Sequence, residues 1–349
     1  MPLTLITGTP GWCGTRLVHV LQKGLPGAGA NLRSPGKRQM RCLVVPGSNT
    51  DSLCSDGEVE LTTGDLRDPV DAERFCHGAK DGTLFHCAGL VHPRLLTREL
   101  YGVNVRGTEN LLRAAQAVQV RRVVVLSSNS PFGVNPNREH RFDENSPYRP
   151  YMNYGRSKMR MEKVVKTYQE QGKMEIVVLR PTWFYGPDQP LRQTTFFSMI
   201  KNGMAPILGD GENLRSMVYI DNLCQAMLLA EGSPQASGQA FWVADKRPYS
   251  MNEIVDTVER LMENEFGMPV AHKRLRLPFI AGEVAQLADW TIQGLGLYQQ
   301  KIHVLGEMNK NIACSIDKAR QVLGYEPAVE LEEGMRRSLA WCVERGIKL

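Results

Sequence analysis

The stretch Leu3-Thr4-Leu5-Ile6-Thr7-Gly8-Thr9-Pro10-Gly11-Trp12-Cys13-Gly14-Thr15-Arg16-Leu17-Val18 decides how the rest of this chain is read. A short apolar run stops at three glycines spaced three apart. Apolar residues of helical period then follow at Leu17, Val18, Val20 and Leu21. This pattern predicts a strand over 3–7, a tight turn, and a helix over 12–23. Glycines let backbone N–H groups approach an anionic phosphate, and the dipole of a helix N-terminus favours that charge. Pro10 removes one backbone donor from the turn, and Trp12 is bulky there. The N–H groups of Trp12 and Cys13, at the helix start, are therefore expected to carry the anion.

Beyond this turn, short apolar runs alternate with helical patterns. Strands are expected at 41–45, 58–62, 83–89, 122–126 and 175–179, and helices at 69–78, 97–118 and 152–171. Such alternation implies crossover connections and a parallel sheet. Arg122-Val-Val-Val-Leu126 is apolar enough to be buried on both faces. Residues 25–40, rich in Gly, Pro and basic side chains, read as a surface loop. After residue 187 the rhythm loosens. Helices are expected at 193–202, 222–230, 251–266, 278–297, 316–323 and 331–345, and strands at 207–208, 215–220 and 240–243. Residues 1–187 thus form a first domain. Residues 188–349 form mostly a smaller lobe over the carboxyl ends of the strands, some of its strands returning to the main sheet.

A chain of 349 residues, 42% hydrophobic and 23% charged, buries a sizeable core. The net charge of +5 comes without a basic run, so a nucleic-acid partner is not expected. Eight scattered cysteines with no Cys-x-x-Cys spacing read as reduced thiols, with neither a disulfide framework nor a metal site. No 18-residue apolar run predicts a membrane span. With no signal-like start, a cytoplasmic location is the expectation.

A second constellation is Tyr154-Gly-Arg-Ser-Lys158 on the helix expected over 152–171. Tyrosine and lysine at i and i+4 share a helix face. A nearby ammonium lowers a phenol's pKa, which suits the tyrosine to proton exchange with a substrate hydroxyl or carbonyl while a hydride moves to or from a nicotinamide. A serine at the strand end Val124-Val-Leu-Ser-Ser128 is placed to hydrogen-bond the same oxygen.

Together these stretches resemble the extended short-chain dehydrogenase/reductases, which include nucleotide-sugar epimerases and reductases and a 3β-hydroxysteroid dehydrogenase-like branch. The resemblance rests on Thr7-Gly8-x-x-Gly11-x-x-Gly14, Gly64-Asp65-Leu66, His86-Cys87-Ala88-Gly89, Asn104-Val105-x-Gly107-Thr108, Leu126-Ser127-Ser128, Tyr154-x-x-x-Lys158, Arg180-Pro181-x-x-x-Tyr185-Gly186-Pro187 and Val218-Tyr219-Ile220-Asp221-Asn222-Leu223. It continues into the tail, Gly324-Tyr325-x-Pro327. It implies an α/β, Rossmann-type doubly wound parallel sheet with a smaller C-terminal substrate-binding lobe.

It also implies roles. Tyr154 would be the acid/base and Lys158 its partner, also holding the nicotinamide ribose. Ser128 would orient the substrate oxygen, with Ser127 as the alternative. Gly8, Gly11, Trp12, Cys13 and Gly14 would carry the pyrophosphate. Asp65 and Leu66 would meet the adenine end. Ala88, Gly89 and Asn104 would lie beside the cofactor, Arg180 would flank the nicotinamide pocket, and Tyr185 and Arg215 would face the substrate. The cofactor would be NAD or NADP. The acidic residue that usually ends the second strand in NAD users is replaced here by Val45-Pro-Gly-Ser-Asn49, and Arg33, Lys37 and Arg38 lie just before, which tilts the reading slightly to NADP. Asn129-Ser130 stands where dehydratases carry an Asp-Glu pair, so dehydration is not expected.

Three functions follow. The first is an NAD(P)-dependent oxidoreductase or epimerase moving a hydride to or from a secondary alcohol or ketone of a nucleotide-activated sugar, with Arg215 on its diphosphate. The second is a 3β-hydroxysteroid dehydrogenase-like enzyme acting on a lipophilic alcohol, suggested by the 275–297 segment. There Ile280, Val284, Leu287 and Ile292 read as core. The third is a non-catalytic NAD(P)-binding regulator. Relatives of this kind dimerise through helices near 100–117 and 152–170, so a homodimer is expected, with apolar residues on the outward faces of those helices.

Overall fold

The computed structural model describes residues 2–25, 37–53 and 59–349. Most of the loop expected over 25–40, with Arg33, lies outside the described residues, as does Cys54. The glycine turn is followed as read. Strand β1 (Thr4–Thr9) leads to helix α1 (Trp12–Lys23), and then come β2 (Met40–Val44), β3 (Val59–Thr63), α2 (Pro69–Cys76) and β4 (Thr83–His86). Asp68 caps α2 by accepting from Val70 N at 2.9 Å. Helix α3 runs in three consecutive pieces, Arg98–Tyr101, a π-helical Gly102–Gly107, and Thr108–Ala117. Strand β5 (Arg122–Leu126), helix α4 (Met152–Glu170) and strand β6 (Glu175–Pro181) complete the first part.

One seven-stranded sheet has the order β11-β6-β5-β4-β1-β2-β3, where β11 is Ala240–Val243. All its pairings are parallel. The chain switches direction between β1 and β4, so a crevice opens at their carboxyl ends. Leu5, Leu84 and Val123 pack on one face of the sheet with Leu111, Leu112, Met161 and Val165 from α3 and α4. Ile6, Phe85 and Val124 pack on the other with Leu17, Val18 and Leu21 from α1 and with Leu223 and Met227 from α6 (Ile220–Gly232). Arg16 of α1 donates to both oxygens of Asp221 at 2.5 and 2.8 Å, tying these two helices together.

The second half adds short ribbons and helices above the crevice. Strand β7 (Trp183–Tyr185) pairs with β10 (Met217–Tyr219), β8 (Pro206–Leu208) with β13 (Leu275–Leu277), and β9 (Leu214–Arg215) with β12 (Tyr249–Ser250). The single strand expected over 215–220 is therefore two strands in different ribbons. Ser216 separates them, and its N–H donates to Ile312 O at 2.8 Å. The remaining helices are α5 (Leu191–Lys201), α7 (Met251–Asn264), α8 (Phe279–Gly294), α9 (Gln300–Glu307), α10 (Asp317–Leu323) and α11 (Leu331–Glu344). Ser250 caps α7, accepting from Glu253 N at 3.1 Å.

Two expectations about surfaces are corrected. Exposed residues of α3 and α4 are mostly charged, among them Arg106, Glu109, Arg113, Arg156, Arg160, Lys163 and Lys166, and no large apolar side chain of either helix is exposed. Their apolar residues are consumed by packing on the sheet and on each other. Conversely, Ile280, Val284 and Leu287 of α8 are not core: they point outward, and Ile292 is only half-buried. The face of α8 that packs inward is small and polar instead, with Gly282, Ala285, Asp289 and Gln293. No helix of the described residues is long and apolar enough to cross a membrane.

Candidate active site

The glycine turn is close-packed for a backbone reason. Gly8 has a φ of +83°, and a Cβ there would stand 2.6 Å from the backbone of Cys87 and Ala88. A Cβ on Gly11 would come 2.7 Å from Gly8 O, and one on Gly14 2.5 Å from the same oxygen. Real Cβ atoms do not approach so closely, so all three positions accept only glycine without movement. α1 thus starts directly above the carboxyl end of β1, with its first N–H groups, which have no partner within the helix, facing the crevice. A pyrophosphate fits this cradle. The Trp12 indole N–H donates to Pro187 O at 2.6 Å, so that bulky side chain latches the turn to the second half of the chain. Cys13 is buried against Cys87, whose proximity and the burial itself push its thiol above the ordinary range.

At the β4 end, His86 bridges Thr7 Oγ1 and Thr108 Oγ1, each at 2.8 Å. Burial lowers its pKa to about 3, so it is a neutral strut. Ala88 N donates to Thr7 Oγ1 at 3.2 Å. Asn104 is buried in the π-helical piece of α3, where its amide donates to Leu90 O (2.9 Å) and Ser157 Oγ (3.0 Å) and its oxygen accepts from Leu90 N (2.8 Å). It therefore pins the loop after Gly89 against α4. At the β3 end, Asp65 binds the Arg67 guanidinium at 2.5 Å, while Leu66 is buried and its carbonyl accepts from Asn110 at 2.9 Å.

Ser128 and Tyr154 come together at the carboxyl end of β5, and Lys158 is anchored on Leu126, the last residue of that strand. Ser128 Oγ accepts from Ser130 N at 3.2 Å and lies against the Tyr154 phenol. Ser127, the alternative, instead donates to buried Glu162 at 2.5 Å and is withdrawn from the crevice. Lys158 is buried, and its ammonium donates to Leu126 O at 2.8 Å and lies 3.2 Å from Met161 Sδ. Burial lowers its pKa to about 8, with Glu162 opposing.

The surroundings of the Tyr154 phenol pull its pKa both ways. Burial raises the phenol's pKa, and the groups that ease its ionisation are Ser128 and Arg192, with Glu307 acting against them. Although i and i+4 share a helix face, the lysine side chain runs back toward β5.

Arg180 does not stand free beside a pocket. It is paired with Glu162 at 2.7 Å, both side chains buried, and lies over the Phe132 ring at 4.5 Å. Tyr185 is likewise buried and donates to Asp245 at 2.7 Å, a strut of the β7–β10 ribbon rather than a crevice residue. Arg215 donates to the Glu307 carbonyl. Its Nε is buried without a partner, as is the hydroxyl of neighbouring Tyr151.

Sequence reading missed the far wall of the crevice. His92 Nδ1 meets Tyr298 Oη at 2.5 Å, and His303 Nδ1 meets buried Asp289 at 2.7 Å. The His303 ring packs against Tyr151 and Tyr298 at centroid distances of 5.6 and 5.5 Å. Arg192, at the start of α5, acts on Tyr154, His92 and Tyr298. No spacing linked these residues, because they come from four separate segments and α9 was not foreseen. The seven described cysteines are free thiols.

Comparison with known proteins agrees with this architecture. The family description "NAD dependent epimerase/dehydratase family" matches residues 4–244. The y4nL protein of Sinorhizobium fredii is 50% identical over 346 residues, covering 99% of this chain and 96% of its own. The decarboxylating sterol-4-alpha-carboxylate 3-dehydrogenase erg26 of Schizosaccharomyces pombe is 30% identical, covering 82% and 84%. Among solved structures, the UDP-glucose 4-epimerase of Thermotoga maritima superposes with a TM-score of 0.76 at 19% identity, covering 99% of this chain and 100% of that one. The chain belongs to the NAD-dependent epimerase/dehydratase family and is an enzyme of the extended short-chain dehydrogenase/reductase type.

Proposed function

We propose that this enzyme moves a hydride between a nicotinamide dinucleotide and a secondary alcohol or ketone, with Tyr154 exchanging the proton. The observation that carries this is Ser128 against Tyr154 at the carboxyl end of β5, with the buried Lys158 ammonium on Leu126 O and beside Gly89. Bound nicotinamide supplies the hydride acceptor or donor. Gly8, Gly11 and Gly14 make room for the pyrophosphate, and the N–H groups of Trp12 and Cys13 face it. Ser128 orients the reacting oxygen. Tyr154 gives or takes the proton, and Lys158 supplies positive charge at the ribose side.

For the substrate we favour a polar, anionic molecule such as a nucleotide-activated sugar. Support comes from two arginines, Arg192 and Arg215, on a crevice lined by Tyr151, Tyr298, His92 and His303. A lipophilic alcohol is the second reading, supported by the outward apolar face of α8 and by the sterol dehydrogenase relative. Either NAD or NADP suits the neutral residues after β2. Lys37 and Arg38, the latter paired with Glu231 at 2.6 Å, precede β2 and so lie at the amino edge of the sheet, away from the crevice, where they offer no 2′-phosphate site. Titrating both cofactors decides this. A homodimer on the charged faces of α3 and α4 is testable by light scattering.

The substrate experiment is a thermal-shift screen. Nucleotide sugars should stabilise the cofactor-loaded enzyme, and Arg192→Ala and Arg215→Ala should abolish that shift. Stabilisation by hydroxysteroids alone would overturn the sugar reading. Replacing Tyr154 by Phe tests the chemistry itself.

A further inference from the structure

Helix α8 is amphipathic in the reverse sense. Its inner face carries Asp289 and Gln293, bound to His303, while its outer face is apolar. Ile280, Val284, Leu287 and Trp290 are each between 60% and 65% exposed and recur at helical spacing. A soluble helix ordinarily places these faces the other way. The outer face has no free carboxylate to lend it solubility, because Glu283 is bound by Lys310 and Asp289 is buried.

The stripe continues past the end of α8. Leu295 and Leu297 are exposed, and the 95–97 segment is hydrogen-bonded beside them: Tyr298 N donates to Leu95 O at 2.8 Å and Thr97 N to Gly296 O at 2.9 Å. That adds Leu95 to the same edge, and nearby His92 faces the crevice with Tyr298 and Arg192. Two segments distant in sequence thus form one apolar collar that reaches the mouth of the Tyr154 crevice. Contiguous exposed apolar surface of this kind marks an interaction site.

The charge around the collar selects the occupant. Arg94, Arg276 and Lys301 are exposed along it, Arg192 stands at the crevice mouth, and none of the four pairs with a carboxylate among the described residues. In a two-fold dimer built on this face, the basic rim would meet its own copy, and like charges repel. Anionic lipid headgroups complement both the rim and the collar. We propose that the α8 collar docks the enzyme on an anionic lipid surface, lying on it without spanning it, with the crevice mouth at the interface. This goes beyond the hydride-transfer reading and does not depend on it.

The test is co-flotation with vesicles of phosphatidylcholine alone or with one-third phosphatidylglycerol. The full-length enzyme and the Val284→Gln/Leu287→Gln/Trp290→Gln variant are compared, with NAD(P) affinity as the folding control. All three positions are exposed. The wild type should float with the phosphatidylglycerol vesicles in a salt-sensitive manner. The variant should bind roughly tenfold or more weakly, with unchanged cofactor affinity. Trp290 emission should shift to the blue on binding, a change absent in Trp290→Phe. The proposal is overturned if the wild type floats with neither vesicle, or if the triple variant floats as well as the wild type. A concentration-dependent dimer that the triple variant abolishes, without lipid binding, would equally overturn it and assign the collar to a second copy.

Discussion

Substituting Glu162 by Gln should destabilise the enzyme severely, and the structure sets the scale. Glu162 and Arg180 are 4% and 8% exposed at their side chains. The carboxylate accepts from Arg180 Nη2 at 2.7 Å, from Ser127 at 2.5 Å and from Tyr148 at 2.6 Å. Glutamine keeps the shape but leaves the guanidinium buried without a counter-charge. Removing one partner of such a pair costs about 3–5 kcal/mol. At roughly 2 cal/mol/K per residue, the unfolding entropy of a chain this size lowers Tm by about 4–7 °C for that loss. Calorimetry on Glu162→Gln, on Arg180→Met and on the double variant makes the measurement. The double variant should recover at least about 1 kcal/mol relative to the sum of the singles, because it removes both charges together. Strict additivity, or a Tm change under about 1 °C for Glu162→Gln, would refute the view that this pair is an internal strut and would return Arg180 to the cofactor pocket.

The remaining predictions concern the cradle and the lysine. Gly14→Ala places a Cβ 2.5 Å from Gly8 O, so NAD(P) affinity measured by calorimetry should fall about tenfold or more, since the loop must shift away from the pyrophosphate. Retained wild-type affinity would contradict the cradle. Lys158 releases its proton more readily folded than unfolded, from about 10.5 down to about 8. Its stabilising contribution is therefore complete above about pH 10.5 and is lost as the pH falls toward 8. The denaturation midpoint of the wild type should gain on that of Lys158→Met between those limits, and a difference that stays flat would refute it.

Sequence reading carried furthest where the backbone itself was constrained. The three glycines and the β-branched run of β5 each act locally, so their spacing is visible without the fold. The crevice beyond Tyr154 was not legible, because His92, Arg192, Tyr298 and His303 converge only through tertiary packing. The buried partners of Arg180 and Tyr185 were hidden for the same reason: a motif shows that a side chain is present but not which buried partner takes it. The stripe on α8 shows the converse limit. Apolar periodicity reports one face of a helix without saying whether that face looks in or out.

In the proposed reaction Tyr154 handles the proton while the cradle and Lys158 hold the cofactor. The most direct test is single-turnover hydride transfer by Tyr154→Phe, followed by nicotinamide absorbance with whichever alcohol or ketone substrate stabilises the enzyme. A rate loss of about 10²–10⁴-fold is expected, with NAD(P) affinity unchanged. Hydride transfer at the wild-type rate would contradict it.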